Sequence, residues 1–164
     1  ATTEKRPDRM EVDAWLELLS GPADPAAGER VFYHPKSAGC YRCHRYNGRG
    51  AEVGPDLTHI GRSLDRKKLL TSILQPGQEI APLFLPWQVE TEDGQMVVGM
   101  LVDEKVNGDQ TYVDANGKRI TPARNEIAAR RAAETSIMPD QIVDLLTVQE
   151  LRDLLAFLSQ AGAR

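Results

Sequence analysis

The chain has 164 residues and a net charge of −4, with 41% hydrophobic and 27% charged residues. These values are typical of one ordinary soluble domain that is large enough to bury a core without disulfides. They argue against nucleic-acid binding, which needs a basic surface, and no run approaches the ~18 apolar residues of a transmembrane helix. Aromatic residues make up only 5% of the chain, so aliphatic side chains or a non-protein group must fill much of the core.

The first residues are predicted to form a leading segment. The chain begins with Ala1 and no signal segment follows, so we expect either a removed targeting peptide or a longer parent protein. Residues 1–22 are predicted to be a leading helix and linker, with the helix over Met10–Leu19 on an amphipathic pattern that a Gly-Pro pair ends. Residues 23–164 are predicted to form the main domain.

Two more helices and a loop are predicted next. Asp24 is expected to cap a helix that begins at Pro25 and ends before a His-Pro pair. Residues 35–62 are rich in turn residues, glycine above all, and are predicted to form an irregular loop. Ser63 is predicted to cap the third helix, which a Pro-Gly pair ends.

Residues 86–121 carry the signals of β-structure. Three turn dipeptides of the hairpin type lie in this range, namely Asp93-Gly94, Asn107-Gly108 and Asn116-Gly117. The predicted strands are Trp87–Thr91, Met96–Val102, Thr111–Asp114 and Lys118–Thr121. We expect a small antiparallel insert.

The C-terminal part returns to helical patterns. Residues 124–133 are predicted to be a short helix, and residues 135–139 are predicted to be extended because a proline follows Met138. Thr147 and Glu150 form the pattern of a capping box that opens a last amphipathic helix.

One motif indicates chemistry directly. The run Cys40-Tyr41-Arg42-Cys43-His44 is the C-x-x-C-H pattern of covalent haem c attachment. Two thiols at this spacing can reach the two vinyl-derived carbons of one porphyrin, and the next residue, His44, can bind the iron as proximal ligand. Haem also accounts for the low aromatic content, because a large flat apolar group replaces side chains in the core. Both cysteines would then be used, and no disulfide is expected.

Two other interpretations of the cysteine pair stay open. A thioredoxin-type redox pair would open a helix within a βαβ unit, whereas a glycine-rich loop is predicted here. A zinc site needs four ligands. Cys40, Cys43, His44 and His59 are the candidates, although adjacent Cys43 and His44 chelate one tetrahedral ion awkwardly.

The ligand on the opposite side of the iron is less directly indicated. The candidates are Met10, Met96, Met100, Met138, His34 and His59. Methionines are most often core filler, and Met96 and Met100 share strand parity with neighbouring valines, so we expect both to face a small hydrophobic layer. Met138 lies in an extended segment from which its thioether can reach the iron. It is therefore predicted to be the distal ligand, with an open or water-bound position as the alternative.

The order of the motifs along the chain resembles that of class I cytochrome c. Gly28 and Phe32 are similar to the Gly-x-x-x-aromatic pattern of that family's N-terminal helix, and Leu154 and Phe157 to the partner pair on its C-terminal helix. The resemblance implies a mainly α fold, the class I cytochrome c fold, with a small antiparallel β insert at about 86–121 before the distal methionine.

A narrower resemblance is to the haem-binding domain of the planctomycete–verrucomicrobial type. It covers roughly residues 25 to 160 and depends on the following segments: Gly28–Phe32, Cys40–His44, Gly54–Thr58, Ser136–Pro139 and Leu146–Leu151. Such domains commonly lie behind dehydrogenase-like domains in large exported proteins. The resemblance therefore implies electron transfer with a redox partner or a fused dehydrogenase domain, no enzymatic activity of the domain itself, and a periplasmic or exported location.

The resemblance also assigns site residues. It implies that the Pro55 carbonyl accepts a hydrogen bond from the proximal imidazole, with Leu57 in the same loop. Arg62 and Trp87 are predicted to contact the haem propionates. One alternative keeps the haem but makes the protein a gas or redox sensor with a labile sixth ligand. The other is a zinc-binding interaction module.

Overall fold

The computed structural model describes residues 5–160, in which five α-helices and seven strands follow one another. The helices are α1 (Val12–Leu18), α2 (Pro25–Tyr33), α3 (Ile60–Ser63), α4 (Arg66–Leu74) and α5 (Val148–Leu158). The strands are β1 (Arg45–Tyr46), β2 (Arg49–Gly50), β3 (Trp87–Thr91), β4 (Met96–Glu104), β5 (Gln110–Val113), β6 (Arg119–Ile120) and β7 (Ile127–Ala132). The outermost residues of the two predicted segments, 1–4 and 161–164, lie outside the described residues.

The prediction of a mainly α, class I cytochrome c fold is wrong. The fold is mixed, with 35% of residues helical and 19% in strands. Its largest β element is a five-stranded antiparallel sheet of order β6-β5-β4-β3-β7. The β-structure is larger than predicted because β4 runs to Glu104 and because β7 lies within residues 124–133, which were predicted to be a helix. Alanine and arginine favour helices, but antiparallel pairing with β3 decides the conformation here.

The helical part is built around a close crossing of α2 and α5. A Cβ atom on Gly28 would lie 2.1 Å from the Asp153 carbonyl oxygen, so only glycine lets the two backbones approach this closely. The Phe32 ring, fully buried, lies 5.8 Å from the Phe157 ring, centroid to centroid. The predicted cap of α2 is confirmed, since Asp24 Oδ1 accepts a hydrogen bond from the backbone of the first turn. The predicted capping box of α5 is also present.

Two local predictions are wrong in detail. The segment 35–62 is not wholly irregular, because β1 and β2 form a hairpin across Asn47-Gly48, whose φ angles of 47° and 77° suit a tight turn. The third long helix, α4, is capped by Asp65 and not by Ser63, because the Asp65 carboxylate accepts a hydrogen bond from Lys68 N at 2.8 Å. Ser63 ends the short helix α3 instead.

One face of the large sheet covers the loop that carries the cysteines. Met100 and Val113 are buried there with Val53 of the loop. Met96 and Val98 share this strand parity but are 51% and 42% exposed, so the predicted hydrophobic layer includes Met100 and not Met96. Only the part of the apolar face around Met100 therefore packs against the motif, and the part around Met96 and Val98 is exposed. Within residues 5–160, no helix has the length and apolar character needed to cross a membrane.

Candidate functional site

The two cysteines lie on a single tight turn. Gly39, with a φ of 62°, precedes a 3₁₀ turn over Cys40–Arg42, and His44 N donates to Cys40 O at 2.9 Å. The turn sets the two thiols one turn apart and places the histidine directly after them. Both thiols are free and partly buried.

The cysteine side chains face two different apolar layers. Cys40 packs against the helical core, whose buried members include Phe32 and Leu154. Cys43 packs against the smaller cluster under the sheet, formed by Val53, Met100 and Val113. The motif therefore lies at the junction of the helical core and the sheet.

Burial keeps both thiols protonated. Desolvation raises the pKa of Cys40 to about 12. It also raises the pKa of Cys43, where the nearby Arg42 opposes the shift. A thioredoxin-type redox pair depends on a thiolate of lowered pKa, so the direction of these shifts counts against that interpretation of the pair.

The His44 imidazole has a defined orientation and tautomer. Its Nδ1 lies 2.9 Å from the Pro55 carbonyl oxygen. Because a carbonyl can only accept, Nδ1 carries the proton and Nε2 keeps the lone pair that a metal would use. Burial lowers the pKa of His44, and the Pro55 carbonyl partly offsets that effect. The ring is therefore neutral at physiological pH, as a metal ligand must be.

Gly54 is the residue that makes room for this ring. A Cβ atom at position 54 would lie 2.7 Å from His44 Cε1 and 2.9 Å from Nδ1. The pattern of the sequence singled out Pro55 and Leu57 in this loop but not the role of Gly54. The only signal in the sequence was a glycine directly before Pro55.

Backbone hydrogen bonds tie this loop to the cysteine motif. Val53 N and Gly54 N both donate to Cys43 O, at 3.0 and 2.7 Å. Leu57 N donates to Arg45 O at 2.8 Å, and the Leu57 side chain packs against the helical core. Backbone hydrogen bonds from both sides of Pro55 to the cysteine motif and to Arg45 therefore fix the carbonyl that orients His44.

Met138 and the residue before it lie against the same two apolar layers as the cysteines. Its partly buried side chain packs against the helical core with Cys40, and the preceding Ile137 packs against the cluster that holds Cys43. Met138 N donates to Ser136 Oγ at 3.1 Å, which holds the segment in its bent course. The structure thus brings the predicted distal segment to the two layers that flank the motif.

The other candidate ligands fall into different places. Met10 is 71% exposed and Met96 51% exposed. His34 is exposed and its Nδ1 accepts a hydrogen bond from a backbone N–H, and His59 is exposed just before α3. Met100 is buried in a hydrophobic layer, as its strand parity predicted, but its position next to Cys43 was not predicted.

Arg62 and Trp87 lie in elements outside the motif. Arg62 is exposed on α3. Trp87 is partly buried on β3, with the guanidinium carbon of Arg130 4.2 Å above its ring. Their contact with haem propionates stays a prediction.

The donor set fits haem c better than it fits zinc. Among residues 5–160, no three His, Cys, Asp or Glu side chains converge as a metal site would require. The site offers two neutral thiols on one turn, an oriented neutral imidazole and apolar surroundings. These are the groups that thioether attachment and axial ligation need.

No protein-family model matches the chain, and no curated protein matches it. The assignment of a function therefore depends on the chemistry of the site.

Proposed function

We propose that the chain is a c-type cytochrome domain that holds one haem through Cys40 and Cys43 and transfers single electrons. The observation that carries the proposal is the His44 imidazole, which is fixed by the Pro55 carbonyl at 2.9 Å and directly follows two free thiols. A partly buried, neutral and oriented imidazole at this position is suited to bind iron through Nε2.

The bound haem iron supplies the reversible one-electron change. The chain's own residues orient the proximal imidazole and surround the cysteines with apolar side chains. The tie between His44 and Pro55 raises the basicity of the imidazole. Met138 is the proposed distal ligand, and a thioether in this place raises the reduction potential.

The apolar layers around the cysteines have a second effect. Burial and low solvent exposure are among the factors that set the potential of a haem. Cys40 and Cys43 lie against separate layers, one helical and one from the sheet. Because apolar side chains pack against both cysteines, the site favours outer-sphere electron transfer over chemistry at an open iron.

The proposal includes a partner and a location. A redox protein, or a dehydrogenase domain fused to this one, would exchange electrons with the haem. Haem is attached to such motifs outside the bacterial inner membrane, so the protein would be periplasmic or exported. The domain itself would not be an enzyme. The resemblance to haem-binding domains of exported proteins supports the proposed partner and the proposed location.

Intact mass after denaturation tests the covalent attachment. We expect wild-type protein, produced with a haem-attachment system, to carry the mass of one haem, and Cys40→Ala with Cys43→Ala to carry none. Arg42→Ala, an exposed change between the cysteines, is the matched control and should keep the haem. A folded wild type of unmodified mass that contains zinc would contradict the proposal in favour of a zinc module.

A further inference from the structure

Residues 6–9, here called the strap, lie across the segment that follows Met138. The Arg6 guanidinium donates to two carbonyl oxygens of that segment. Its Nη1 lies 3.0 Å from Val143 O, and its Nη2 bonds to Leu146 O. Both contacts link positions more than 130 residues apart in the chain, so the strap fixes the segment by tertiary structure.

Arg9 makes the second set of contacts. Its Nη2 lies 2.5 Å from an Asp144 carboxylate oxygen, and its Nη1 lies 3.6 Å from Asp140. Asp140 is only two residues beyond Met138. The strap therefore contacts the segment at both of its ends: at Asp140, close to the methionine, and at Leu146, just before α5 begins.

The strap is itself firmly held. The Trp15 indole, whose ring is 2% exposed, donates to Asp8 O at 3.1 Å. Gln75 Nε2 at the end of α4 donates to Arg9 O at 2.8 Å. The strap is thus bound to the helical core. A displacement of the segment after Met138 would have to break its contacts with Arg6 and Arg9, or else detach the strap from the core.

The segment that the strap holds is a 3₁₀ helix and not an α-helix, although its Ile142 and Val143 side chains are buried in the helical core. Asp140–Leu145 is a 3₁₀ run, which has weaker hydrogen-bond geometry than an α-helix. The hydrogen bond from Leu146 N to Val143 O is long, at 3.3 Å. The carbonyl groups at the end of this run therefore depend on Arg6 for a strong, charge-assisted partner.

We propose that Arg6 and Arg9 are positioning residues for Met138. By holding the segment directly after it, they determine how firmly the thioether stays at the sixth position and how readily an external ligand displaces it. This inference rests on the proposed haem function. It assigns a role in the site to a part of the chain that the sequence presents only as a leading segment.

Hydrogen exchange and ligand displacement test the strap together. In Arg6→Gln with Arg9→Gln, we expect amide exchange over residues 138–146 to become about tenfold faster. We also expect imidazole or carbon monoxide to displace the methionine more readily. The matched control is Lys67→Ala, which removes an ion pair of 2.5 Å between α4 and Asp13 of α1 but leaves the strap intact. This variant should behave as wild type in both measurements.

Conservative variants separate positioning from a general loss of stability. Arg9→Lys keeps a cation for the two carboxylates and should behave nearly as wild type. Lysine at position 6 has no planar guanidinium to donate to the Val143 and Leu146 carbonyls together, so Arg6→Lys should show the faster amide exchange. The proposal is overturned if the double variant matches Lys67→Ala, or if exchange accelerates while ligand displacement does not change. A wild type without haem would overturn the proposed function, and the exchange data would still show whether the strap holds the segment.

Discussion

The imidazole of His44 has room only because residue 54 has no side chain. The ring is bonded to the Pro55 carbonyl on one side and lies against the Gly54 backbone on another. At the residue scale, the site is therefore specified by three neighbouring constraints: a proline carbonyl that fixes the tautomer, a glycine that leaves space, and burial that keeps the ring neutral.

Gly54→Ala tests the space beside the ring. The new Cβ would lie 2.7 Å from His44 Cε1, so the imidazole or the loop must move. We expect unfolding free energy to fall by about 1–3 kcal/mol, together with a weaker bond between iron and the proximal ligand. Denaturant unfolding and resonance Raman measure the two effects. Gly77→Ala is the control, because nothing lies within 4 Å of its Cβ position. Equal stability of the two variants would contradict this account of Gly54.

Thiol reactivity tests the environment of the cysteines in the haem-free protein. Only the thiolate reacts with an alkylating agent, so a raised pKa slows the reaction. We expect both thiols to react slowly at about pH 8, with rates that rise as the pH increases. Cys40, whose pKa is raised to about 12, should react more slowly than Cys43. In the denatured protein, the difference should vanish. Rapid modification of Cys40 at neutral pH would instead indicate an activated redox thiol.

At the scale of elements, the crossing of α2 and α5 positions the motif. The α2 helix ends at Tyr33, a few residues before the cysteine turn, and α5 packs across it at Gly28. The hairpin β1–β2 fixes the chain directly after the motif, and the strap contacts the segment after Met138. These contacts make the helical core the frame in which the cysteine turn, the proximal loop and the Met138 segment are held.

Gly28→Ala tests this crossing. Alanine ordinarily stabilises a helix relative to glycine, by about 0.5–1 kcal/mol. Here its Cβ would lie 2.1 Å from the Asp153 carbonyl oxygen. We therefore expect unfolding free energy to fall by at least about 2 kcal/mol, measured by denaturant titration. Ala26→Gly, on the exposed face of the same helix, should cost less than this. A variant more stable than wild type would mean that the helices do not cross so closely.

The elements differ in how far the sequence could predict them. Helices α2 and α5 carry their own signals, a capping Asp24 and a capping box at Thr147, and both were predicted. Strand β7 was not, because its Ala-Ala-Arg-Arg run favours a helix in isolation and becomes a strand only through pairing with β3. The cysteine motif consists of neighbouring residues, so the sequence could reveal it. The contact of Arg6 with Val143 joins residues far apart in the chain, and no sequence pattern predicts it.

At the scale of the whole molecule, a helical core and an antiparallel sheet meet at the cysteine motif. Cys40 faces the first and Cys43 the second, and residues 137 and 138 divide between the same two layers. The sheet was predicted as a small insert, but it is one of the two walls of the site.

The absorption spectrum of the purified protein, with and without carbon monoxide, tests the central claim most directly. The proposed axial pair of His44 and Met138 predicts a low-spin haem c spectrum with the methionine–ferric band, unchanged by carbon monoxide. Met138→Ala should lose that band and bind carbon monoxide, whereas Met100→Ala, the other buried methionine near the motif, should keep it. A colourless protein, or a wild type that binds carbon monoxide readily, would contradict the account.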